Sequence, residues 1–316
     1  MNRVKLMSFL IGLLALPAIV SSQSLPAGYT SALGVPYVPG GGLRQQLDVF
    51  YPTSGAPAGL VIWVHGGGWN GGSKDPCQAL GLLAQERFVI ASVNYRFTTT
   101  NPFPAQVEDL NSAIRFLKAN AASYRIDPSR VGLWGRSAGA HLAALSALSS
   151  DTGQFNTGQN LNQSARVQAV VDFFGPTNLA LYGSSVSGDP LTQYLGATIQ
   201  SGPASLAQSN PLNYINAGSA EPPFLIMHRT GDPIVPVGHS QALHNALIAA
   251  GLSSTLQTFA GNSHDLPGLT FEPSTPYDAQ VAGFFRTSFA AVPEPSSAVA
   301  LFCVAGALLS RTRRPL

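Results

Sequence analysis

Gly135-Arg136-Ser137-Ala138-Gly139 sets a serine between two glycines. The apolar run Val131–Trp134 precedes it, and the Ala- and Leu-rich run Ala138–Leu148 follows. Strand, tight turn and helix in that order lift a hydroxyl above the end of a sheet. Flanking glycines are needed there because larger side chains would collide with neighbouring elements. The helix start adds a field that favours developing negative charge. The chemistry open to such a serine is nucleophilic attack on an acyl carbon.

That attack creates a negative oxygen, and His65-Gly66-Gly67-Gly68-Trp69 is suited to receive it. The motif follows the apolar run 60–64 directly, and three successive glycines let backbone N–H groups point into a cavity. The expected donors are the N–H groups of Gly67 and Gly68, with that of Ala138 from the serine turn. His65 is expected to fix the loop. A base and an acid are also needed. Of six histidines, only His264 follows the last expected strand in a loop, Gly261–Asp265. Asp232, in Gly231-Asp232-Pro233, follows the run Pro223–His228, at a strand end where side chains collect around a site. Asp265, adjacent to His264, is the competing acid, but adjacent loop residues point apart. Trp69, Arg136 and Phe97 are expected to wall the substrate pocket. His239 and His244 stand five apart, wrong for a shared metal, and His141 is expected to pack or hydrogen-bond one turn beyond Ser137. His228 ends a strand beside Arg229, where it either packs or lines the site.

The elements that must position these residues alternate along the chain. Apolar runs at Leu60–His65, Phe88–Tyr95, Val131–Trp134, Val167–Phe174, Pro223–His228 and Ser254–Phe259 read as strands, mostly buried on both faces. Gln46–Tyr51 alternates as a half-buried strand does. Helical spacing fills Pro104–Asn120, Ala138–Leu148, Gly238–Ala250 and Tyr277–Phe289, with Val107, Leu110, Ile114 and Leu117 on one face of the first. The alternation implies an α/β fold, a mostly parallel sheet with helices on both faces. Residues 24–42 are Gly- and Pro-rich and are expected to wrap the surface. The irregular stretch 175–221 is expected to form a small cap or a floppy insertion.

Composition narrows the function classes. The span 23–292 carries 12 Lys and Arg against 14 Asp and Glu, net −2, which argues against nucleic acid as a partner. Two cysteines, Cys77 and Cys303, exclude a disulfide framework and a cysteine-rich zinc site.

Both ends differ from the middle. Arg3 and Lys5, the apolar run Leu6–Val20 and then Ser21-Ser22-Gln23 describe a signal peptide over 1–22, cleaved after Ser22. At the other end, Val292-Pro293-Glu294-Pro295-Ser296 precedes an apolar run, Ala298–Leu309, and Arg311, Arg313 and Arg314. Residues 293–316 resemble the PEP-CTERM sorting signal of Gram-negative bacteria. That resemblance implies an exosortase-type processing enzyme as partner, membrane contact only in transit, and a mature protein at the cell surface or in the extracellular matrix.

The span 43–290 resembles the α/β-hydrolase superfamily, nearest the lipase/esterase group that includes bifunctional acetylxylan/feruloyl esterases. The resemblance rests on Leu47–Pro52, the His65–Trp69 loop, Asn94-Tyr95-Arg96, Phe103–Asp109, Arg125–Arg130 and Gly135–Leu142. The chain order Ser137, Asp232, His264 is also that of the superfamily's triad. The resemblance implies one α/β-hydrolase domain over 23–292 and a serine carboxylesterase acting through an acyl-enzyme. It implies no metal and no cofactor, and small acyl or aryl esters as substrates, with acetyl or feruloyl groups on polysaccharide as one source. Arg136 and Arg229 depart from the group's usual residues, so substrate choice transfers less well than mechanism. A prolyl-oligopeptidase-type serine peptidase shares the triad order but usually adds a propeller domain, for which there is no room here. A non-catalytic adhesion protein on this fold would need neither the triad nor the glycine loop.

Overall fold

The computed structural model describes residues 25–217, 221–270, 272 and 274–291. The signal peptide expected at 1–22 and the sorting tail expected at 293–316 lie outside the described residues. The strands are β1 (Tyr29–Pro36), β2 (Gln46–Pro52), β3 (Ala58–Val64), β4 (Val89–Val93), β5 (Ile126–Arg136), β6 (Ala169–Phe173), β7 (Phe224–Arg229) and β8 (Ser254–Phe259). The helices are α1 (Ala105–Ala119), α2 (Ala121–Tyr124), α3 (Ala138–Ser149), α4 (Pro190–Leu195), α5 (Ala204–Gln208), α6 (Gly238–Ala249) and α7 (Asp278–Ala290).

The strands form one sheet in the order β1-β2-β4-β3-β5-β6-β7-β8. From β4 to β8 every pairing is parallel, and β2 and β1 are antiparallel additions at one edge. Every residue of β3 is buried, as befits a strand covered on both faces. Leu60, Ile62 and Val64 pack into one hydrophobic cluster with α1, α3 and α6. Val61 and Trp63 point the other way, into a cluster with α7 and the 3-10 turn Gln78–Ala84. The expected face of α1, Val107, Leu110, Ile114 and Leu117, is fully buried.

Two expectations are corrected. Tyr29–Pro36 lies within the stretch expected to wrap the surface, yet it forms β1, an edge strand on β2. An edge tolerates Gly34 and Pro36, which would weaken an interior strand. At the irregularity between Ala32 and Val35 the Gly34 N–H donates to Asp48 Oδ1 at 2.7 Å. β2 was expected to be half-buried, but Leu47, Asp48, Val49 and Phe50 are all buried, because β2 is an interior strand between β1 and β4. Its one carboxylate, Asp48, meets Lys74 Nζ at 2.6 Å.

The described part of the expected cap region contains short helical turns, including α4 and α5. It is tied down. Leu191, Tyr194 and Leu195 join the core, the Phe103 N–H donates to the Tyr194 carbonyl at 2.8 Å, and Asp189 caps α4 by accepting the Thr192 N–H. No helix among the described residues is long and apolar enough to cross a membrane.

Candidate active site

Ser137 stands between β5 and α3 with φ 52° and ψ −127°, a conformation that residues with side chains seldom adopt. Surrounding contacts hold it there. Its N–H donates to the Phe173 carbonyl at 2.8 Å, and its carbonyl accepts the His141 N–H at 3.1 Å. The flanking glycines are sterically required. A Cβ on Gly135 would fall 2.4 Å from the Gly139 carbonyl oxygen, and one on Gly139 would fall 2.1 Å from that of Val64.

The loops after β5, β7 and β8 bring the expected triad residues together. Ser137 Oγ lies 2.9 Å from His264 Nε2, and His264 Nδ1 lies 2.7 Å from Asp232 Oδ2. The nitrogen facing the carboxylate must carry the ring proton, so Nε2 is left to accept the serine O–H. Asp232 Oδ1 accepts the N–H groups of Ile234 and Val235 at 2.8 and 2.9 Å. Burial pushes the Asp232 carboxyl up. Hydrogen bonds from His228, His264, Val235 and Ile234 outweigh this and hold it well below the usual carboxylate range. Phe174 packs against the His264 ring, with centroids 4.8 Å apart and planes at 69°. Asp265 turns away. Its Oδ1 lies 2.8 Å from Arg229 Nε and accepts the Ser263 O–H.

The residues expected as oxyanion donors line the same cavity as Ser137 and His264. Gly67 and Gly68 have φ 105° and 58°, and the turn closes with Asn70 and Gly71 N–H groups donating to the Gly67 carbonyl. Among the described residues, no acceptor takes the N–H of Gly67 or Gly68. The Ala138 N–H opens α3, where helical geometry leaves it without an intrahelical partner. His65 fixes the loop, as expected. It stacks on Tyr95 with centroids 4.3 Å apart, and its Nδ1–H donates to the Gly66 carbonyl at 2.7 Å. Burial pushes its pKa down to about 4, so the ring is neutral.

The cavity measures about 760 Å³. Of the expected pocket residues, Trp69 and Arg136 line it and Phe97 does not. Phe97 packs instead against the far side of the loop, edge-on to His65 and beneath the Arg44 guanidinium at 4.2 Å. Trp69 is only 4% exposed and stacks on Tyr194, so it supports the wall more than it offers a surface. Arg136 donates to Gln78 Oε1 at 3.1 Å and lies over the Phe174 ring. The apolar wall comes from residues the sequence did not single out: Tyr182, Pro190 and Leu191 of the cap, and Ile234 and Val235 beyond Asp232. His228 does not line the cavity. It is fully buried behind Asp232, with Nε2 at 2.8 Å from the Val235 carbonyl and 3.3 Å from Asp232 Oδ2. Among the described residues, no group of three or more His, Cys, Asp or Glu side chains is arranged to hold a metal.

Residues 47–247 match the family model BD-FAE. The chain is 31% identical over 264 residues to Esterase LipQ of Mycobacterium tuberculosis, covering 80% of this chain and 61% of that one. It is 28% identical over 230 residues to a probable isoprenylcysteine alpha-carbonyl methylesterase of Arabidopsis thaliana, covering 70% and 48%. The chain thus spans about half to three-fifths the length of these curated relatives. Among solved structures, a truncated carbohydrate esterase from gut microbiota superposes with a TM-score of 0.75 at 26% identity, over 85% of this chain and 100% of that one.

Proposed function

The chain belongs to the BD-FAE family and has the α/β-hydrolase fold, and on that premise we propose that it is a serine carboxylesterase acting on small acyl or aryl esters through an acyl-enzyme. One observation carries the reading. An unbroken hydrogen-bonded chain, Ser137–His264–Asp232, opens into a cavity that also holds the glycine loop.

In this mechanism Ser137 Oγ attacks the ester carbonyl carbon while His264 Nε2 takes its proton. The carbonyl π pair moves onto oxygen, and the N–H groups of Gly67, Gly68 and Ala138 receive the charge. Asp232 keeps the His264 ring proton on Nδ1 and stabilises the imidazolium. The C–O bond to the alcohol then breaks, and His264 hands its proton to the departing alkoxide. Water repeats the cycle on the acyl-enzyme, with His264 again as base, and frees the acid and Ser137.

We propose carbohydrate-linked acyl groups as one source of substrate. The likeness to the gut carbohydrate esterase supports this, and the polar side of the cavity, with Ser73, Asp75 and Gln78, suits an alcohol rich in hydroxyls. Export through the terminal segments is part of the same proposal.

Two measurements on one preparation test the activity. The protein should hydrolyse p-nitrophenyl acetate, and a fluorophosphonate should label it once, on Ser137. The absence of both turnover and labelling would overturn the reading.

A further inference from the structure

Trp69 closes the glycine loop at φ 60°, a backbone conformation disfavoured for a residue with a large side chain. Its indole is held from two sides. Tyr194 of α4 stacks on it, with centroids 4.4 Å apart and planes at 17°. On the other side, indole Nε1–H donates to His141 Nδ1 at 3.3 Å. An indole nitrogen can only donate, so His141 Nδ1 must be the bare nitrogen of the ring and Nε2 must carry the proton. That proton faces the Ser209 carbonyl at 2.8 Å. Burial pushes His141 down to about 4, so this neutral tautomer persists at neutral pH.

His141 therefore touches three elements at once. Its backbone N–H makes the first hydrogen bond of α3 to the Ser137 carbonyl, its Nδ1 holds the glycine loop through Trp69, and its Nε2–H holds the cap through Ser209. All three contacts are shielded from water, since His141 is fully buried.

We infer that His141 is a positioning residue that ties the oxyanion loop to the nucleophile helix and to the cap, so that the hole is formed only while the cap is seated. It does not touch the reacting atoms. It acts through Trp69, two residues beyond Gly67, by holding the loop where its N–H groups meet the developing charge. This inference rests on the ester-hydrolysis reading for its kinetic consequence, but the link itself is independent of activity.

The test compares His141→Phe, which keeps a ring and loses both polar contacts, with two half-links. In His141→Gln the amide nitrogen stands near the Nε2 position and retains the Ser209 contact. In His141→Asn the amide oxygen stands near Nδ1 and retains the Trp69 contact. With p-nitrophenyl acetate, His141→Phe should lose between about tenfold and a hundredfold in kcat with KM within about twofold, and Asn should recover more of it than Gln. Inhibition by a trifluoromethyl ketone, which puts an oxyanion in the hole, should weaken in parallel with kcat, whereas a carboxylic acid product should bind as before. A His141→Phe protein with unchanged kcat, or one whose product binding falls as far as its kcat, would overturn the inference. An NMR measurement needs no turnover. The Trp69 indole N–H, assigned with Trp69→Phe, should resist hydrogen exchange in the wild type and exchange freely in His141→Phe. Equal protection in both would overturn the link. An inert wild type with a protected Trp69 would sink only the esterase reading.

Discussion

His228 and His264 present ring nitrogens to the same oxygen of Asp232, at 3.3 and 2.7 Å. His228 Nε2 also faces the Val235 carbonyl, so it sits between two acceptors and must carry the proton. Ser240 accordingly donates its hydroxyl to His228 Nδ1 at 2.7 Å. With the N–H groups of Ile234 and Val235 on the other oxygen, the carboxylate has four donors and stays ionised behind His264.

Replacing Ser137 with Ala should lower ester hydrolysis by about 10⁴-fold or more and leave circular dichroism and Tm close to wild type. Activity above about a tenth of wild type would put the nucleophile elsewhere.

Asp232→Asn should cost on the order of 10³- to 10⁴-fold in kcat, because an amide allows the imidazole its wrong tautomer. Asp265→Asn should stay within a few-fold, since Asp265 meets Arg229 and not His264. Parallel kinetics on the two variants decide between them, and a reversed ranking would mean the acid is misassigned.

Asp172 gives a stability prediction of opposite sign to the usual carboxylate. It is fully buried at the end of β6, where Oδ1 accepts the Gly175 N–H and Oδ2 has no hydrogen-bond partner. Burial pushes its pKa up to about 6, against the lowering effects of the Gly175 N–H and of His228. A carboxyl raised on folding costs nothing below its unfolded pKa, and the cost grows as pH rises through the folded value. Asp172→Asn should therefore raise Tm at pH 8, by about 1–3 kcal/mol in stability, and change little at pH 4. Thermal melts at the two pH values check it, and stabilisation confined to pH 4 would contradict the argument.

Acyl length should matter. Pro190 at the start of α4 stands close over the glycine loop, its Cβ 3.3 Å from where a Cβ on Gly68 would lie. With the cap tied down above Ser137, kcat/KM is expected to fall from acetyl and butyryl to decanoyl p-nitrophenyl esters. A maximum at decanoyl would point to a lipase.

Protein recovered from its native host should begin near Gln23 and end near Pro293–Ser296. Intact mass measures this directly, and a mass that includes residues 298–316 would make the tail a retained anchor.

The legible parts of the fold were those where burial writes itself into composition. β3 is covered on both faces and reads as an uninterrupted apolar run, and β6 and β7 read nearly so, broken by Asp172 and by His228-Arg229 at the end. The candidate triad was legible because Ser137 and Asp232 stand just beyond the apolar runs of β5 and β7, and His264 because it follows the last strand, although β8 is a half-exposed edge strand with polar residues along it. β1 was not, since an edge strand with Gly34 and Pro36 carries neither a continuous nor an alternating pattern. The cap walls were not, because α4 and α5 span only six and five residues, too short for helical spacing to register. Phe97 was misjudged because nearness to the glycine loop does not say which side of it a ring will face. His228 could be placed at a strand end, but its contact with Asp232 depends on the turn Asp232–Val235, in which Asp232 Oδ1 accepts the N–H groups of Ile234 and Val235 and the Val235 carbonyl faces the His228 ring.

The close approach of α3 to the end of β3 has a consequence for engineering. With barely 2.1 Å between a would-be Gly139 side chain and the Val64 carbonyl, the floor beneath Ser137 has no slack for mutation. A library aimed at new substrates would be wasted there. The variable wall is Tyr182, Ile234 and their neighbours, and Ile234 is already 59% exposed where it lines the cavity, so its side chain can change size or polarity without breaking into the core.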